Sequence, residues 1–280
     1  MTTTHTPPKD EQPEITDETS DEVEASRAPL LDHLIELRSR LIWMIVALSV
    51  ATIGCFFFAQ DIYEFLLTPF AHMAQEIRGT KLDFIYTAPM EFFFAKLKLA
   101  LFAGLYVAFP ILAWQVYAFV APGLYKNERG AFWPYLVLAP MLFTAGAAFV
   151  YYVMLPMLAR FTVGMELTDS EVANITMLPK VADYLSLVMA LMLAFGISFQ
   201  LPLILTLLGR IGVVSSQALA NGRKFAVVGI LAFSALFTPP DAISQILLAT
   251  PVLLLYEIGI LSVKLIERKE AEREASAAAE

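Results

Sequence analysis

Five long apolar tracts alternate with short polar segments along the chain. The tracts run approximately over residues 41–59, 92–120, 132–158, 181–208 and 225–266. A helix needs roughly 20 apolar residues to cross a hydrocarbon core of about 30 Å, and each tract is long enough to do so. The pattern therefore predicts membrane-spanning helices rather than the core of a soluble fold.

The last tract is too long for a single span. Its roughly 40 residues would reach about 60 Å as one helix, and Thr238-Pro239-Pro240-Asp241 interrupts it with prolines that cannot continue a helix. We therefore expect a short helical hairpin that forms spans five and six. Span five has only about 14 apolar residues, or roughly 21 Å of helix, and local thinning of the bilayer or association with a partner would accommodate it.

The distribution of Lys and Arg predicts the orientation of these six spans. Eleven basic residues fall on the side of the termini and four to six on the opposite side. The first set is Arg38, Arg40, Lys126, Arg129, Arg210, Arg223, Lys224, Lys264, Arg268, Lys269 and Arg273; the second is Arg78, Lys81, Arg160 and Lys180, with Lys96 and Lys98 ambiguous. Because basic loops remain in the cytoplasm, both termini are expected there.

The amino-acid composition is that of a membrane protein, and the net charge is concentrated near the two ends of the chain. The chain is 58% hydrophobic and 16% charged, with a formal net charge of -8. Residues 1–29 and 267–280 together carry that excess of acid, which leaves the body between them formally neutral. We expect a disordered acidic N-terminal arm over 1–29, a six-span membrane domain over 30–266 and a charged cytoplasmic tail over 267–280.

Motifs for catalysis or metal binding are not found in the sequence. Cys55 is the only cysteine, and His5, His33 and His72 are spread over three different segments without metal-ligand spacing. The sequence contains neither a phosphate-binding Gly-rich loop followed by Lys nor a nucleophile-elbow motif. We expect no enzyme activity, no cofactor and no nucleic-acid partner.

Polar residues inside the apolar tracts are candidates for function, because the bilayer makes them costly. Gln200 lies in span four and Glu257 in span six, and Lys98 could pair with either. One interpretation is that they form hydrogen bonds between helices. The other makes Glu257 the ion-coupling group of a secondary transporter. Asp241 could simply cap the start of span six.

Two carboxylates are expected at the cytoplasmic surface. Glu36 lies in a helical approach to span one, and Glu128 follows a Pro-Gly break after span two. Paired carboxylates suit a ligand with two guanidinium groups, because Arg forms bidentate bonds to a carboxylate. The alternative is a set of weak local ion pairs, such as Glu36 with Arg40 at i,i+4.

Several sequence strings resemble TatC, the multispanning receptor subunit of the twin-arginine protein translocase. They are His-Leu-Ile-Glu-Leu-Arg, Phe-Val-Ala-Pro-Gly-Leu-Tyr-Lys-Asn-Glu-Arg, Tyr-Leu-Ser-Leu-Val-Met-Ala-Leu, Ala-Phe-Gly-Ile-Ser-Phe-Gln-Leu-Pro and Thr-Pro-Pro-Asp-Ala-Ile-Ser-Gln. Together and in this order they are specific, and the resemblance covers roughly residues 30 to 266. It implies an all-α polytopic protein of the bacterial inner membrane that captures folded proteins carrying twin-arginine signals.

The resemblance also implies roles for individual residues at the cytoplasmic face. Glu36 and Glu128 match the family's signal-binding acids, and Arg38 and Phe119 match neighbouring residues of that patch. Export driven by the protonmotive force and self-association of the receptor are expected from the same resemblance.

Partner binding is implied for the last two spans. Small single-span proteins of the TatA and TatB type would dock there, where Thr238 and Gln245 match polar contact positions and Asp241 lies beside them. Pro69 matches a sensitive proline of the first outer loop. Gln200 departs from the family, because many relatives have Glu there, so an ionised group at this position cannot be required in this chain.

Overall fold

The computed structural model describes residues 18–120, 133–166, 176–237 and 242–277. Apart from an isolated bridge between Ile85 and Lys180, its regular structure in those ranges is helical. The helices are α1 (Glu18–Phe57), α2 (Ala59–Arg78), α3 (Glu91–Val120), α4 (Trp133–Phe149), α5 (Leu155–Gly164), α6 (Val181–Ser198), α7 (Leu201–Arg210), α8 (Ser216–Asn221), α9 (Arg223–Phe237) and α10 (Ala242–Ala277).

Five segments within the described residues are long and apolar enough to cross a membrane. They are Leu34–Phe57, Glu91–Phe119, Pro134–Gly164, Val181–Arg210 and Gln245–Arg273. The predicted all-helical polytopic fold is confirmed. The predicted fifth span corresponds to α9, which has 15 residues and a length of about 22 Å. The count of six spans stays a prediction, and Thr238-Pro239-Pro240-Asp241 lies outside the described residues.

The third and fourth long segments each consist of two helices joined at a proline. A π-helical turn, Val150–Met154, connects α4 to α5 just before Pro156, and α6 passes into α7 through Phe199 and Gln200 just before Pro202. Proline lacks an amide donor and its ring clashes with the carbonyl of the preceding turn. The π-helical turn is wider than an α-turn, whereas the Gln200 amide bonds only three residues back, to the Ile197 carbonyl, and each change of turn absorbs the mismatch without ending the span.

Helix α2 is amphipathic and packs against α5 and α3. Its buried residues follow one another at intervals of three and four: Ala59, Tyr63, Leu66, Phe70 and Ala74. This spacing forms the single apolar stripe of a surface helix, so α2 is not a span. Gly79, with φ +73°, ends the helix in the left-handed conformation that glycine adopts without strain.

Glycines allow the closest helix contacts in the bundle. A Cβ atom on Gly146 of α4 would lie 2.6 Å from the carbonyl oxygen of Phe195 in α6, and one on Gly196 would lie 2.7 Å from the Phe143 ring. Small residues let helix backbones approach in this way where lipid supplies no hydrophobic driving force. The side chains of Phe143 and Phe195 are themselves almost fully buried at this contact.

The chain divides into two compact units, Met1–Trp43 and Met44–Glu280, with the boundary inside α1. Within the second unit a buried core joins residues of α2, α3, α5, α6 and α10. Helix α1 begins at Glu18, and α10 continues to Ala277 as one helix. The arm and tail boundaries expected at residues 29 and 267 stay predictions.

Candidate functional site

Glu36 lies on α1 and is paired with Arg40 one turn later. The Nε and Nη2 atoms of Arg40 donate to Oε1 of Glu36 at 2.9 and 2.5 Å. The side chain of Glu36 remains 34% exposed and that of Arg40 23% exposed. The local ion pair considered from the sequence is therefore present, and it holds a guanidinium against an accessible carboxylate.

The other residues expected at the signal-binding patch are described in part. Arg38 is exposed on α1, within the first unit, and Phe119 is half-buried in the last turn of α3, within the second unit. Glu128 lies outside the described residues. Arg38 is therefore accessible and Glu36 and Phe119 are partly so, and their expected role stays a prediction.

Gln200 lies at the break between α6 and α7 and bonds to a third helix. Its Nε2 atom donates to the carbonyl oxygen of Ala139 in α4 at 2.8 Å. This is the interhelical hydrogen bond that one interpretation of the sequence anticipated. The suggested partner Lys98 is wrong for this residue, because the break turns the amide toward α4.

Glu257 pairs with Arg223, at the start of α9, rather than with Lys98. The two bonds from Arg223 Nε and Nη2 measure 2.7 and 2.8 Å, which is a bidentate arrangement. Both side chains are about half exposed. An exposed carboxylate neutralised by a local guanidinium gives no support to the transporter interpretation, which needs an ionisable group along a pathway.

The connection between α7 and α9 is fixed to α10 at two further points. Tyr256 donates its hydroxyl to the carbonyl oxygen of Leu219 at 2.9 Å. The backbone amide of Ser216 donates to Glu267 at 2.7 Å, and the Ser216 hydroxyl also donates to this carboxylate. These contacts could not be predicted from the sequence, because the partners are 37 to 51 residues apart.

Gln245 bridges α10 and α9 within the chain. Its Nε2 atom donates to the carbonyl oxygen of Leu231 at 3.0 Å, and the side chain is half-buried. Thr238 and Asp241, the other residues expected at the partner contact, lie outside the described residues. The part of this surface that is described is thus a polar bridge at the α9–α10 interface.

An ion pair joins α2 to the end of α5 on the side predicted to face outward. Arg78 Nε donates to Glu166 Oε2 at 2.8 Å and its Nη2 donates to the other carboxylate oxygen and to the carbonyl of Met177. The amide of Met177 donates to Glu166 at 2.7 Å. Hydrogen bonding from Arg78, with a contribution from Met177, lowers the pKa of Glu166 below its ordinary value. Sequence reasoning missed this cluster.

Pro69 lies inside α2, which forms part of the connection between the first two long apolar segments, and its expected role in the first outer loop stays a prediction. The apolar stripe of α2 packs against the bundle and maintains the helix through the proline. The neighbouring Thr68 hydroxyl donates to the carbonyl of Glu64 at 2.8 Å. Among the described residues, no cluster of His, Cys, Asp or Glu is suited to hold a metal ion.

Comparisons with known proteins agree on one family. The family model described as Sec-independent protein translocase protein (TatC) matches residues 32–251. A relative from Magnetococcus marinus with the same description is 43% identical over 250 residues, covering 89% of each chain. The protein of that description from Escherichia coli K12 is 38% identical over 88% of this chain and 92% of its own.

A solved structure shares the fold. A crystal structure described as the twin arginine translocase receptor TatC superposes with a TM-score of 0.74 at 36% identity, covering 84% of this chain and 99% of that one. The sequence identity, the shared fold and the matching length all indicate the same family. The chain belongs to the TatC family of Sec-independent protein translocase proteins.

Proposed function

We propose that this chain binds the twin-arginine signals of folded cargo proteins at its cytoplasmic face, with Glu36 and Glu128 as the acids. Arg38 and Phe119 complete the patch. The observation that carries the proposal is the state of Glu36, which already holds a guanidinium while a third of its side chain stays exposed. The described geometry of the Glu36 carboxylate is thus compatible with arginine as a ligand.

Exchange of one guanidinium for another at Glu36 costs little. An i,i+4 ion pair on a helix surface contributes only about 0.3–0.5 kcal/mol, so Arg40 is a weak competitor. A signal with adjacent arginines engages two carboxylates at once, and the second contact forms at a high effective concentration. Lysine offers a point charge without the bidentate fork, which favours arginine at both positions.

Site-specific crosslinking in membranes tests this proposal. A twin-arginine peptide with a photoreactive residue is compared on the wild type, Glu36→Gln and Glu128→Gln, with a twin-lysine peptide beside it. We expect crosslinks to fall severalfold in each variant and with the lysine peptide. Glu257→Gln is the matched control, because it removes an exposed carboxylate that holds Arg223 and should leave crosslinking unchanged. Equal crosslinking in all variants would show that Glu36 and Glu128 form only surface ion pairs and do not bind the signal.

We further propose that single-span partners of the TatA and TatB type dock along α9 and α10, near Thr238, Asp241 and Gln245. Only Ile230 and Ser234 of α9 are buried among its described residues. Apolar side chains such as Phe225 and Leu236 are 82% and 78% exposed. A helix with so little of its surface covered within its own chain fits a second apolar helix as neighbour.

Disulfide crosslinking between single cysteines tests the docking face. Cysteine at exposed Val228 of α9 should crosslink to cysteine in the span of a TatA- or TatB-type protein, whereas cysteine at buried Ile230 should not. Crosslinking at the two positions to the same extent would contradict docking on the exposed face of α9. The native Cys55 is first replaced by Ala so that each variant carries one thiol.

Orientation and energy source complete the proposal. The excess of Lys and Arg on the side of the termini supports cytoplasmic N- and C-termini.

In the absence of a phosphate-binding loop in the sequence, the protonmotive force is the proposed driving force. Copies of the receptor associate with one another and with the partners, because a folded cargo is wider than one small helical bundle.

A further inference from the structure

A groove of about 410 Å³ opens between α2, α3, α4 and the π-helical turn. Its lining is mostly apolar and includes Phe65, Phe102, Ala103, Thr144, Ala148 and Tyr151. Phe65 and Thr144 are exposed, so the groove opens at the surface of the spans. In a membrane that surface faces the hydrocarbon chains of lipid.

The chemistry of the groove suits an acyl chain. Its lining is mostly apolar, and the hydroxyls of Tyr106 and Thr144 already donate to the carbonyl oxygens of Met192 and Pro140. The stacked rings of Phe65 and Tyr151, 4.4 Å between centroids, form one wall and tie α2 to the π-helical turn. A fatty acyl chain is narrow enough to lie along this wall.

A cation lies one helical turn from the groove. Lys98 precedes Phe102 by four residues on α3, so both lie on the same face of the helix. It is exposed, and about 10 Å of helix separates it from Glu91 at the start of the span. No carboxylate is paired with it among the residues that the structure describes. Because a charge at this depth is costly, Lys98 is expected to extend toward the lipid headgroups.

The neighbouring Lys96 differs in having a partner within its own helix. Its ammonium group lies 4.8 Å from the centroid of the Phe92 ring, a cation–π contact. Lys96 and Lys98 therefore share one helix and nearly one depth but differ in their surroundings, since Lys96 lies over a ring of its own helix and Lys98 precedes the groove residue Phe102 by one turn.

We propose that the groove and Lys98 together bind an anionic phospholipid. One acyl chain lies in the groove along Phe102, Ala103 and Thr144, and the phosphate accepts hydrogen bonds from the Lys98 ammonium. The lipid belongs to the leaflet at the Glu91 end of α3, which the loop charges predict to be the outer leaflet. This site does not depend on the binding of signals or partners proposed above.

Photolabelling of the full-length protein in nanodiscs tests the site. Phosphatidylglycerol with a diazirine in its acyl chain is added as a trace to phosphatidylcholine, and the labelled residues are mapped by mass spectrometry. We expect labels on the groove residues of α3 and α4. Lys98→Gln should reduce this labelling severalfold, Lys98→Arg should preserve it, and the matched control Lys96→Gln should leave it unchanged.

Two further measurements distinguish the contribution of the groove to lipid binding from that of the Lys98 ammonium. Ala148→Trp places a large side chain in the groove and should reduce labelling even with Lys98 intact. Diazirine-bearing phosphatidylcholine, whose phosphate is offset by its own choline cation, should label the groove less than phosphatidylglycerol does, and its labelling should fall less in Lys98→Gln. Groove labelling by phosphatidylglycerol that is unchanged in Lys98→Gln, or no stronger than labelling of exposed Leu254 on α10, would overturn the proposal.

Discussion

At the scale of single residues, two of the paired carboxylates, Glu36 and Glu166, differ in how far their partners lie along the chain. Glu36 pairs with Arg40 on its own helix, and this was foreseen because i,i+4 neighbours follow from helical geometry. Glu166 pairs with Arg78 across 88 residues, and only packing of α2 against α5 brings them together. Local pairs can be predicted from sequence, whereas such distant pairs cannot.

Arg40→Gln should strengthen the binding of a twin-arginine peptide about twofold. The change removes the internal guanidinium from Glu36, and an i,i+4 pair is worth only about 0.3–0.5 kcal/mol. Dissociation constants measured with labelled peptide in nanodiscs check this. Arg268→Gln, which also removes one predicted cytoplasmic charge, serves as the control for nonspecific attraction. Weaker binding in Arg40→Gln than in Arg268→Gln would show that Arg40 positions Glu36 instead of competing for it.

Glu166→Gln should destabilise the protein in a pH-dependent way. The pKa of Glu166 is lowered by Arg78, so its contribution to stability is fully present above the unfolded value of about 4.3 and is lost as the pH falls through the lower, folded pKa. Thermal unfolding in detergent should show a large difference from wild type at neutral pH. That difference should shrink below about pH 4. A difference independent of pH would assign the effect to packing.

At the scale of elements, the apolar tracts located the long helices, but their internal breaks were not foreseen. Hydropathy responds to composition over some 20 residues, so it cannot distinguish a straight span from two helices joined at Pro156 or Pro202. Helix α2 was not predicted either. Its polar face dilutes the apolar signal, and Pro69 within it favours a loop assignment.

Gly146→Ala should destabilise the contact between α4 and α6. The new Cβ would meet the Phe195 carbonyl at 2.6 Å, and a backbone atom cannot move aside as a flexible side chain can. We expect a loss of about 1–3 kcal/mol, as for overpacked cores. The control is Gly229→Ala in α9, where nothing lies within 4 Å and better helix propensity should leave stability unchanged or raised. Equal unfolding temperatures for the two variants would contradict the close packing.

Lengthening α9 by four residues should reduce export of a twin-arginine reporter. At 15 residues α9 is shorter than the hydrocarbon core, and we propose that it thins the bilayer where partners assemble. Four residues add about 6 Å while turning the following face by only about 40°. The same insertion after Glu270, in the extension of α10, should leave export normal. Normal export with the longer α9 would reject the thinning hypothesis.

At the scale of the whole molecule, the family model and the solved structure both identify a TatC-type helical membrane protein. The chain is a multi-pass inner membrane protein of a non-enzymatic transport family. The resemblance of several sequence strings, in order along the chain, predicted that family, and the family model that matches residues 32–251 confirms it. Long-range contacts such as Ser216 to Glu267 came only from the structure. These contacts fix the short α8 and α9 segment to α10.

A double-mutant cycle between the signal and Glu36 and Glu128 measures whether these carboxylates recognise the arginine pair. Dissociation constants are measured in nanodiscs for twin-arginine and twin-lysine peptides on the wild type, Glu36→Gln and Glu128→Gln. We expect binding to weaken about tenfold, or 1.4 kcal/mol, from arginine to lysine on the wild type, and much less on either variant. An equal loss on all three proteins would show that neither carboxylate recognises the arginine pair.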